Sequence, residues 1–513
     1  MEKSAKRKWM PIVSIVAAAS VAATACGGDE EAAKNGAERS SSSTSSMAAP
    51  IKITWMTPLY TQFVPKDTVL KLVEEKVGAK FEITWVPDAV KEDRLNTAIA
   101  SGTLTKIVGV QDIKMSSFQS AVKAGMFWEI GSRLKDYPNL NQINPTTLEH
   151  IKINGEIYGI PRERPLSRQG VVVRQDWLDN LGLKQPKTID ELFNVLKAFT
   201  LNDPDKNGKN DTFGLTERFD LKYGAFKTVS SYFGTPNEWG WKDGKLLPEF
   251  MFPQYTETLK FFNKLYKEKL MNDDFAVTSK TQQWEKFSKG QAGLYVGNMV
   301  DGKNLYNDSL KINPNVKIDI FNRIAGPDGK EAVWAQAGHN GIFAFPKTSI
   351  KTEEELKQIL AVMDKMNTVE VFNLLKIGIE GIHYKLLGDN KFEKNLDAKD
   401  AFEQEVRPLD SIVGLELKNL KAANDPLREK YEALTLDNDN IVVTNPAEAL
   451  VSDTLTIRGT EMRKIIDDAT IKFIMGQMDE AGFQSEVTKW QRNGGDLIIE
   501  ELNASYARSK LIP

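Results

Sequence analysis

The chain from residue 51 to residue 124 alternates between strand patterns and helix patterns. Ile51–Met56 reads IKITWM and Phe81–Val86 reads FEITWV, each with apolar residues at alternate positions, which is typical of a strand. Between them, apolar residues recur at helical spacing from residue 69 to residue 77. The order then repeats, with a helix ending at residue 100, an apolar run at 107–110 and a helix at 116–124. This β-α-β order predicts an open parallel sheet covered by helices.

In such sheets, ligands bind beyond the carboxyl ends of the strands. Polar and aromatic residues stand at these places after Met56, Val86 and Val110. We therefore expect a ligand-binding edge that carries Tyr60, Asp88 and Asp112.

The second half of the chain is richer in helix patterns. The apolar run Val171–Val173 predicts a strand that enters a second lobe, and Thr188 with Glu191 three positions later is typical of a helix N-terminus. Further helices are predicted at 256–270, 281–289, 353–366, 426–435 and 459–477, and further strands at 292–296, 317–321 and 341–345.

The N-terminus has the composition of an export signal. Four basic residues between Lys3 and Lys8 precede an apolar stretch, Met10–Val21, and small residues lead into Cys26, the only cysteine of the chain. We predict a signal peptide over residues 1–25 and lipidation, including palmitate, at Cys26. The alternative is an ordinary Ala-x-Ala cleavage site. Residues 26–50 are rich in Ser and small residues, and we expect them to form a flexible tether.

Composition narrows the classes of partner. The chain has 67 Lys and Arg against 70 Asp and Glu, a formal net charge of −3, and no basic run. It therefore lacks the electrostatic signature of nucleic-acid binding.

Residues 203–211 have the spacing of a calcium-binding loop. Oxygen-bearing side chains occupy positions one, three, five and nine, glycine occupies position six, and a backbone carbonyl serves at position seven. Position twelve is Gly214 instead of Glu, so that another ligand, with Glu217 as a candidate, or water would complete the site. The alternative is a calcium-free turn rich in Asp and Asn. The predicted ligands of a structural Ca²⁺ are Asp203, Asp205, Asn207, Lys209 and Asp211.

Several segments together resemble the extracellular solute-binding lipoproteins of ABC importers, in the branch that takes up oligosaccharides and includes alginate-binding proteins. They are the lipidation signal with its tether, IKITWM at 51–56, AIASG at 98–102, YGIP at 158–161, RQDWLDNLG at 174–182 and the calcium loop followed by TFGL. The resemblance implies a two-lobed α/β fold of the type II periplasmic-binding-protein class, each lobe an open sheet flanked by helices, with the ligand cleft between them.

The resemblance also implies where the chain crosses between lobes, near 165–172, 335–342 and 405–415. We expect an N-terminal lobe of residues 51–168 plus 342–410, and a C-terminal lobe of residues 169–341 plus 411–513 that holds the calcium loop. It implies a non-catalytic receptor, lipid-anchored outside the cytoplasm as a monomer, that delivers an oligosaccharide or sugar to the permease subunits.

A sugar presents hydroxyls and apolar C–H faces, so a binder needs aromatic planes and polar hydrogen-bonding groups around a cleft. Residues of these types lie at strand ends, after Gly-Ile-Pro, in polar segments and at the expected crossings. The alternatives are a packed loop for the tryptophans and a solvated charge run for residues 162–164. The candidates are Tyr60, Asp112, Arg162, Glu163, Arg164, Trp239, Trp241, Trp334, His339, Asn340 and Glu380.

Two other functions stay open from the sequence. A cell-surface glycosidase or lyase would need paired carboxylates across a sugar bond, and counting Asp and Glu does not exclude it. The sequence contains no Gly-x-Ser-x-Gly elbow and no closely spaced His pair to support an enzyme. The same fold could also bind a peptide.

Overall fold

The protein is described by a computed structural model that covers residues 50–415, 420–423 and 425–509. The predicted signal peptide, Cys26 and the tether up to residue 49 lie outside the described residues. Among those described, no helix combines the length and the apolar content needed to cross a bilayer.

The strands of the described residues alternate with helices along most of the chain. The strands are β1 Ile51–Leu59, β2 Ala79–Pro87, β3 Ile107–Val110, β4 Gly159–Glu163, β5 Gln169–Arg174, β6 Phe213–Thr216, β7 Trp239–Lys242, β8 Lys245–Pro248, β9 Ala292–Asn298, β10 Ile318–Phe321, β11 Val333–Trp334, β12 His339–Ala344, β13 Tyr384–Gly388, β14 Lys391–Lys394, β15 Lys421–Ala422 and β16 Val442–Val443.

The α-helices agree closely with the predicted ranges, for example 353–366. They are α1 Asp67–Val77, α2 Lys91–Ser101, α3 Ser116–Lys123, α4 Pro145–His150, α5 Gln175–Leu181, α6 Ile189–Leu201, α7 Ala225–Tyr232, α8 Pro253–Lys267, α9 Lys280–Ser288, α10 Gly302–Leu310, α11 Glu353–Met366, α12 Val369–Lys376, α13 Lys399–Glu405, α14 Pro426–Asn438, α15 Asp453–Ile474, α16 Glu480–Trp490 and α17 Asp496–Ser509.

Local chemistry explains where individual helices begin and end. The Thr188 hydroxyl accepts from the Glu191 N–H at 3.2 Å and begins α6 as the sequence predicts. Gly78 ends α1 with a φ of 73°, a left-handed conformation that glycine adopts without steric penalty.

The first sheet has the strand order β2-β1-β3-β12-β4. Strands β1, β2 and β3 are parallel, as predicted, whereas β12 runs antiparallel to both β3 and β4. The predicted parallel sheet is therefore a mixed one. Its side chains join α1, α3 and α11 in one apolar cluster, the first core, which contains Trp55, Phe118 and Phe343.

The second sheet has the order β10-β5-β9-β6, with β5 antiparallel to both of its neighbours. The alternation of β5 distributes its valines between two clusters: Val171 and Val173 face the second core, which includes α6, α8 and α15, and Val172 faces a smaller cluster. A run of consecutive apolar residues is thus buried on both faces of one strand.

The segment around residues 406–415 belongs with the first core. Leu409 packs there, and so do Ile412, Val413 and Leu415, which the predicted boundary at residue 411 assigns to the second lobe. A small sheet, β13-β14-β15, lies beside this segment with its own cluster of Ile377, Tyr384 and Phe392. The architecture is α/β, with the predicted open sheets flanked by helices.

Candidate functional site

The two sheets present facing edges where the chain crosses between them. Because β12 is antiparallel to β3 and β4, its amino end lies beside the carboxyl ends of β1, β3 and β4. By the same reasoning, the start of β5 shares an edge with the ends of β6, β9 and β10. Short connections join these edges, from Glu163 to Gln169 and from Trp334 to His339. The space between these edges is the candidate ligand cleft.

Arg162 organises one side of this cleft. Its guanidinium donates to the Tyr60 hydroxyl at 3.0 Å and to the carbonyl oxygens of Asn340 and Asp410, both at 3.3 Å. The side chain is only 2% exposed. Three of the predicted residues, Tyr60, Arg162 and Asn340, therefore lie together, although Arg162 is more a support for the edge than a part of its surface.

A cavity of about 450 Å³ opens next to this cluster and is lined by Tyr60, Asn340, Lys376, Arg407 and Asp410 among others. The Asp410 carboxylate pairs with Lys376 and lies 3.6 Å from Nη2 of Arg164. Burial alone would raise the pKa of Asp410, but Lys376, Arg164 and Arg162 hold it below the usual value. Asp410 is therefore an ionised group in a cationic setting.

A β-bulge shapes the amino end of β12. The register with β4 shifts between His339 and Ile342, and Gly341 has a φ of 85°. A Cβ at Gly341 would lie 2.2 Å from the Val110 carbonyl oxygen, so glycine is required there. The bulge directs the Asn340 side chain to Gln111, whose Nε2 donates to Asn340 Oδ1 at 3.2 Å.

His339, next to Asn340, is a neutral side chain. Its Nδ1 accepts from the Gly341 N–H at 3.1 Å, and burial lowers its pKa to about 4, with Glu448 opposing that shift. The imidazole therefore offers hydrogen bonds without a charge at neutral pH.

The segment Arg218–Gly224, here named the aromatic loop, follows β6 at the edge of the second sheet. It exposes Phe219 by 54% and Tyr223 by 47%, and the Tyr223 ring lies 6.0 Å from the Trp334 ring. The sequence reasoning missed both residues. They could have been found with the rule that selected Tyr60, since they also follow the end of a predictable strand.

The structure gives the predicted tryptophans different surroundings. Trp239 is 7% exposed and packs in the second core. Trp241 is 43% exposed in the β7–β8 hairpin and contacts Tyr506, with ring centroids 4.5 Å apart. Trp334 is 2% exposed and donates from Nε1 to Thr228 at 3.0 Å. Of the three tryptophans, Trp334 alone lies at the facing edges, where it is buried and packs against the exposed Tyr223 ring.

The remaining predicted residues lie around the edge and not in the Arg162 cluster. The exposed Asp112 accepts from the Lys114 N–H at 2.8 Å in a turn after β3. Glu163 accepts from the Asn144 N–H at 2.8 Å. Glu380 is exposed beside Tyr384 in the segment next to the small sheet.

Three arginines at the facing edges keep unused donor capacity. In the described part of the chain, the Nε atoms of Arg162, Arg168 and Arg218 are buried and have no hydrogen-bond acceptor. Buried donors are normally satisfied in native structures. Of these three arginines, Arg168 is the half-buried one, whereas Arg162 and Arg218 are 2% and 4% exposed.

The predicted calcium loop is a compact turn in which oxygens converge. Nδ2 of Asn207 lies 2.9 Å from Asp205 Oδ2 and 3.1 Å from Asp211 Oδ1, and Asp203 accepts from the N–H groups of Asn207 and Gly208. Burial and the neighbouring Asp203 carboxylate raise the pKa of Asp205. The oxygen-only donor set fits a hard cation that would relieve this crowding.

Two observations limit that fit. No group of three or more His, Cys, Asp or Glu side chains within the described residues is arranged as a metal site. Glu217, considered as a further ligand, lies elsewhere, because both of its carboxylate oxygens accept from backbone N–H groups at the start of α7. The calcium ligands therefore stay a prediction.

Comparison with known proteins places the chain in a family. Residues 54–367 match the family described as bacterial extracellular solute-binding protein. The chain is 52% identical over 460 residues to the polygalacturonan/rhamnogalacturonan-binding protein YtcQ of Bacillus subtilis, covering 90% of this chain and 92% of that protein. It is 36% identical over 464 residues to lipoprotein LipO of the same organism, covering 89% and 92%.

The fold agrees with solved structures. An HMO-binding, ABC-transporter-associated solute-binding protein of Bifidobacterium longum infantis superposes with a TM-score of 0.67 at 16% identity, covering 89% of this chain and 99% of that one. The predicted resemblance, fold class and non-enzymatic receptor role are confirmed by these relatives. The chain belongs to the family of bacterial extracellular solute-binding proteins.

Proposed function

We propose that this protein is the substrate receptor of an ABC importer and that it binds acidic oligosaccharides of the galacturonate type. The observation that carries this proposal is the 52% identity, across 92% of its length, to a protein named for binding polygalacturonan and rhamnogalacturonan. A uronate sugar differs from a neutral one by a carboxylate on each ring, so its receptor needs cations as well as aromatic planes.

The facing edges supply both kinds of group. The half-buried guanidinium of Arg168 suits carboxylates and hydroxyls, and the exposed rings of Phe219 and Tyr223 suit the C–H faces of sugar rings. Gln111 and Asn340 add amide groups on the opposite edge. This combination favours an anionic sugar over an apolar solute.

Delivery requires that the cleft opens and closes. We infer that the lobes move about the short crossings at 163–169 and 334–339. The lobes would have the predicted compositions, 51–168 plus 342–410 and 169–341 plus 411–513, except that residues 411–415 go with the first lobe. Short extended segments can absorb such a rotation while the two cores stay intact.

Two further features belong to this proposal. The Asp203–Asp211 loop would hold a structural Ca²⁺ through carboxylate, amide and backbone oxygens, which would tie the end of α6 to β6. Lipid attached at Cys26 would keep the receptor, as a monomer, near its permease at the outer face of the membrane and raise its local concentration there.

Calorimetric titration tests the ligand class. The full-length chain carrying Cys26→Ser is titrated with oligogalacturonates, with the same oligomers after full methyl esterification, with neutral oligosaccharides and with peptides. We expect binding of the acidic oligomers and about tenfold weaker binding of the esters. Equal affinity for acid and ester would refute the acidic-sugar proposal, and binding of peptides alone would refute the sugar receptor.

The variant Arg168→Gln tests the same proposal from the side of the protein. Removing this guanidinium should weaken binding of the acidic oligomer more than binding of the ester, because only the acid presents a carboxylate. An equal loss for both ligands would mean that Arg168 does not contact the carboxylate.

A further inference from the structure

The facing edges are joined by an ion pair that none of the candidate ligand residues forms. Nζ of Lys114 lies 3.1 Å from Oε1 of Glu448. Lys114 stands between Ile113 and Met115, which pack in the first core, whereas Glu448 follows Ala447 of the second core. The pair therefore connects the two halves of the molecule across the cleft region, next to His339.

Both partners are also held by contacts within their own halves of the molecule. The Lys114 N–H donates to the Asp112 carboxylate at 2.8 Å. Asp112, a predicted ligand residue, therefore positions the Lys114 backbone. Glu448 accepts at 3.2 Å from Nδ2 of Asn445, and the same amide reaches Glu238, the partner of Lys222, at 3.3 Å. Ordering these side chains on closure therefore costs less conformational entropy than for a free surface pair.

The setting makes the pair stronger than most surface pairs. The Glu448 side chain is 20% exposed and that of Lys114 is 50% exposed. Burial opposes ionisation of Glu448, but Lys114 holds its pKa below the usual value. Asn445 and Ala449, on either side of Glu448 in the chain, line a groove of about 1,170 Å³ that Thr146 and His150 also line.

We propose that Glu448 sets ligand affinity without contacting the ligand: through Lys114 it stabilises the arrangement in which the two lobes are together. This inference rests on the proposed receptor function, because a closing contact matters only if the lobes open to exchange a solute. Its physical basis is population shift, since a contact made only in the closed state slows release of whatever the cleft holds.

The test compares Glu448→Gln, Lys114→Gln, the double variant and the charge exchange Lys114→Glu with Glu448→Lys. Dissociation of an oligogalacturonate is followed by stopped-flow tryptophan fluorescence. We expect each single variant to release the ligand about two- to fivefold faster, the double variant to match the singles, and the exchange to restore slow release. Lys303→Gln is the control, since Lys303 forms a 3.2 Å pair with Asp425 at similar exposure.

The sign of the Glu448→Gln effect separates this role from direct ligand contact. If Lys114 instead bound the sugar carboxylate, removing the competing Glu448 charge would strengthen binding and slow release, and the inference would be overturned. Unchanged release rates in both single variants would overturn it as well.

A second measurement separates the inference from the ligand proposal. If the unmodified chain binds no oligosaccharide, the receptor proposal fails, but this result does not decide whether Lys114 and Glu448 hold the lobes together. Small-angle scattering without ligand then decides the closing contact: a larger radius of gyration for Glu448→Gln than for Lys303→Gln supports it, and equal radii refute it.

Discussion

Glu217 gives the sharpest quantitative test of the structure. Its carboxylate is fully buried and accepts from the backbone N–H groups of Arg218 and Ala225 at 2.8 Å and of Phe226 at 2.7 Å. It thereby closes the aromatic loop against the start of α7. A Cβ at Gly224 would lie 2.1 Å from Glu217 Oε1, so glycine is required for this approach.

The expected energy follows from the pKa of this group. Burial raises the pKa of Glu217 from 4.5 to about 7, against the opposing effect of the three N–H donors and of Arg218. Because the folded pKa lies above the unfolded one, folding is favoured while Glu217 is protonated, and this contribution is lost as the pH rises through about 7. Between pH 5 and pH 8 the loss amounts to about 2.5 kcal/mol of unfolding free energy.

Glu217→Gln is the informative perturbation, because glutamine resembles the protonated acid and does not ionise. Urea unfolding of the wild type and the variant is measured at pH 5, 6, 7 and 8. We expect the variant to gain about 2 to 3 kcal/mol relative to the wild type from pH 5 to pH 8. Asp467, whose burial raises its pKa to about 6, is present in both chains, so its contribution cancels.

The result that refutes this reasoning is a difference between the two chains that stays constant within about 0.5 kcal/mol over the pH range. Such a result would mean that the three N–H donors fully compensate the burial of the charge. A constant loss of stability in the variant at every pH is one form of this refuting result.

Three further predictions concern the aromatic loop, the calcium loop and the lipid anchor. Tyr223→Ala should weaken oligosaccharide binding about three- to tenfold by calorimetry, whereas Trp241→Ala should leave it unchanged; the reverse pattern would move the stacking surface to the hairpin. Calcium at one hundred times its dissociation constant should add about 2.7 kcal/mol to the unfolding free energy, and Asp205→Asn should abolish that gain; no shift on chelation would contradict a bound ion. Cys26→Ser should release the protein into the medium, and its retention on membranes would contradict lipid anchoring.

The fold was predictable wherever a local pattern decides the structure. Alternation in IKITWM and the Thr188 cap each act within a few residues, so β1 and the start of α6 follow from sequence alone. The direction of β12 does not, because an apolar run of four residues is compatible with parallel or antiparallel pairing. Its orientation depends on the chain returning from the second core, a contact between distant segments.

The residues of the candidate site also divide into those that a local pattern predicts and those that only distant contacts bring there. Tyr60 follows from its place after the first strand and Asn340 from the expected crossing near 335–342, and the structure brings both to Arg162. Asp410 joins them from a 3₁₀ helix, 248 residues after Arg162, which no spacing rule can indicate. Tryptophan content was a poor guide because a large apolar ring stabilises a core as well as it stacks on a sugar, and Trp239 lies in the core.

The run Arg162-Glu163-Arg164 shows how strand geometry sets the charge of the cleft. Successive side chains of a strand point to opposite faces, so that Arg162 reaches the Asp410 carbonyl while Glu163 turns away to the Asn144 N–H. Arg164, the first residue after β4, returns to the side of Arg162 and approaches the Asp410 carboxylate. Sequence alone presents this run as a mixed charge cluster, but the pleat separates it into a cationic face and an acidic face. A shift of β4 by one residue would exchange the two, placing a carboxylate beside Asp410 and leaving two guanidiniums without their acceptor. The register of β4 therefore decides which of these charges faces Asp410.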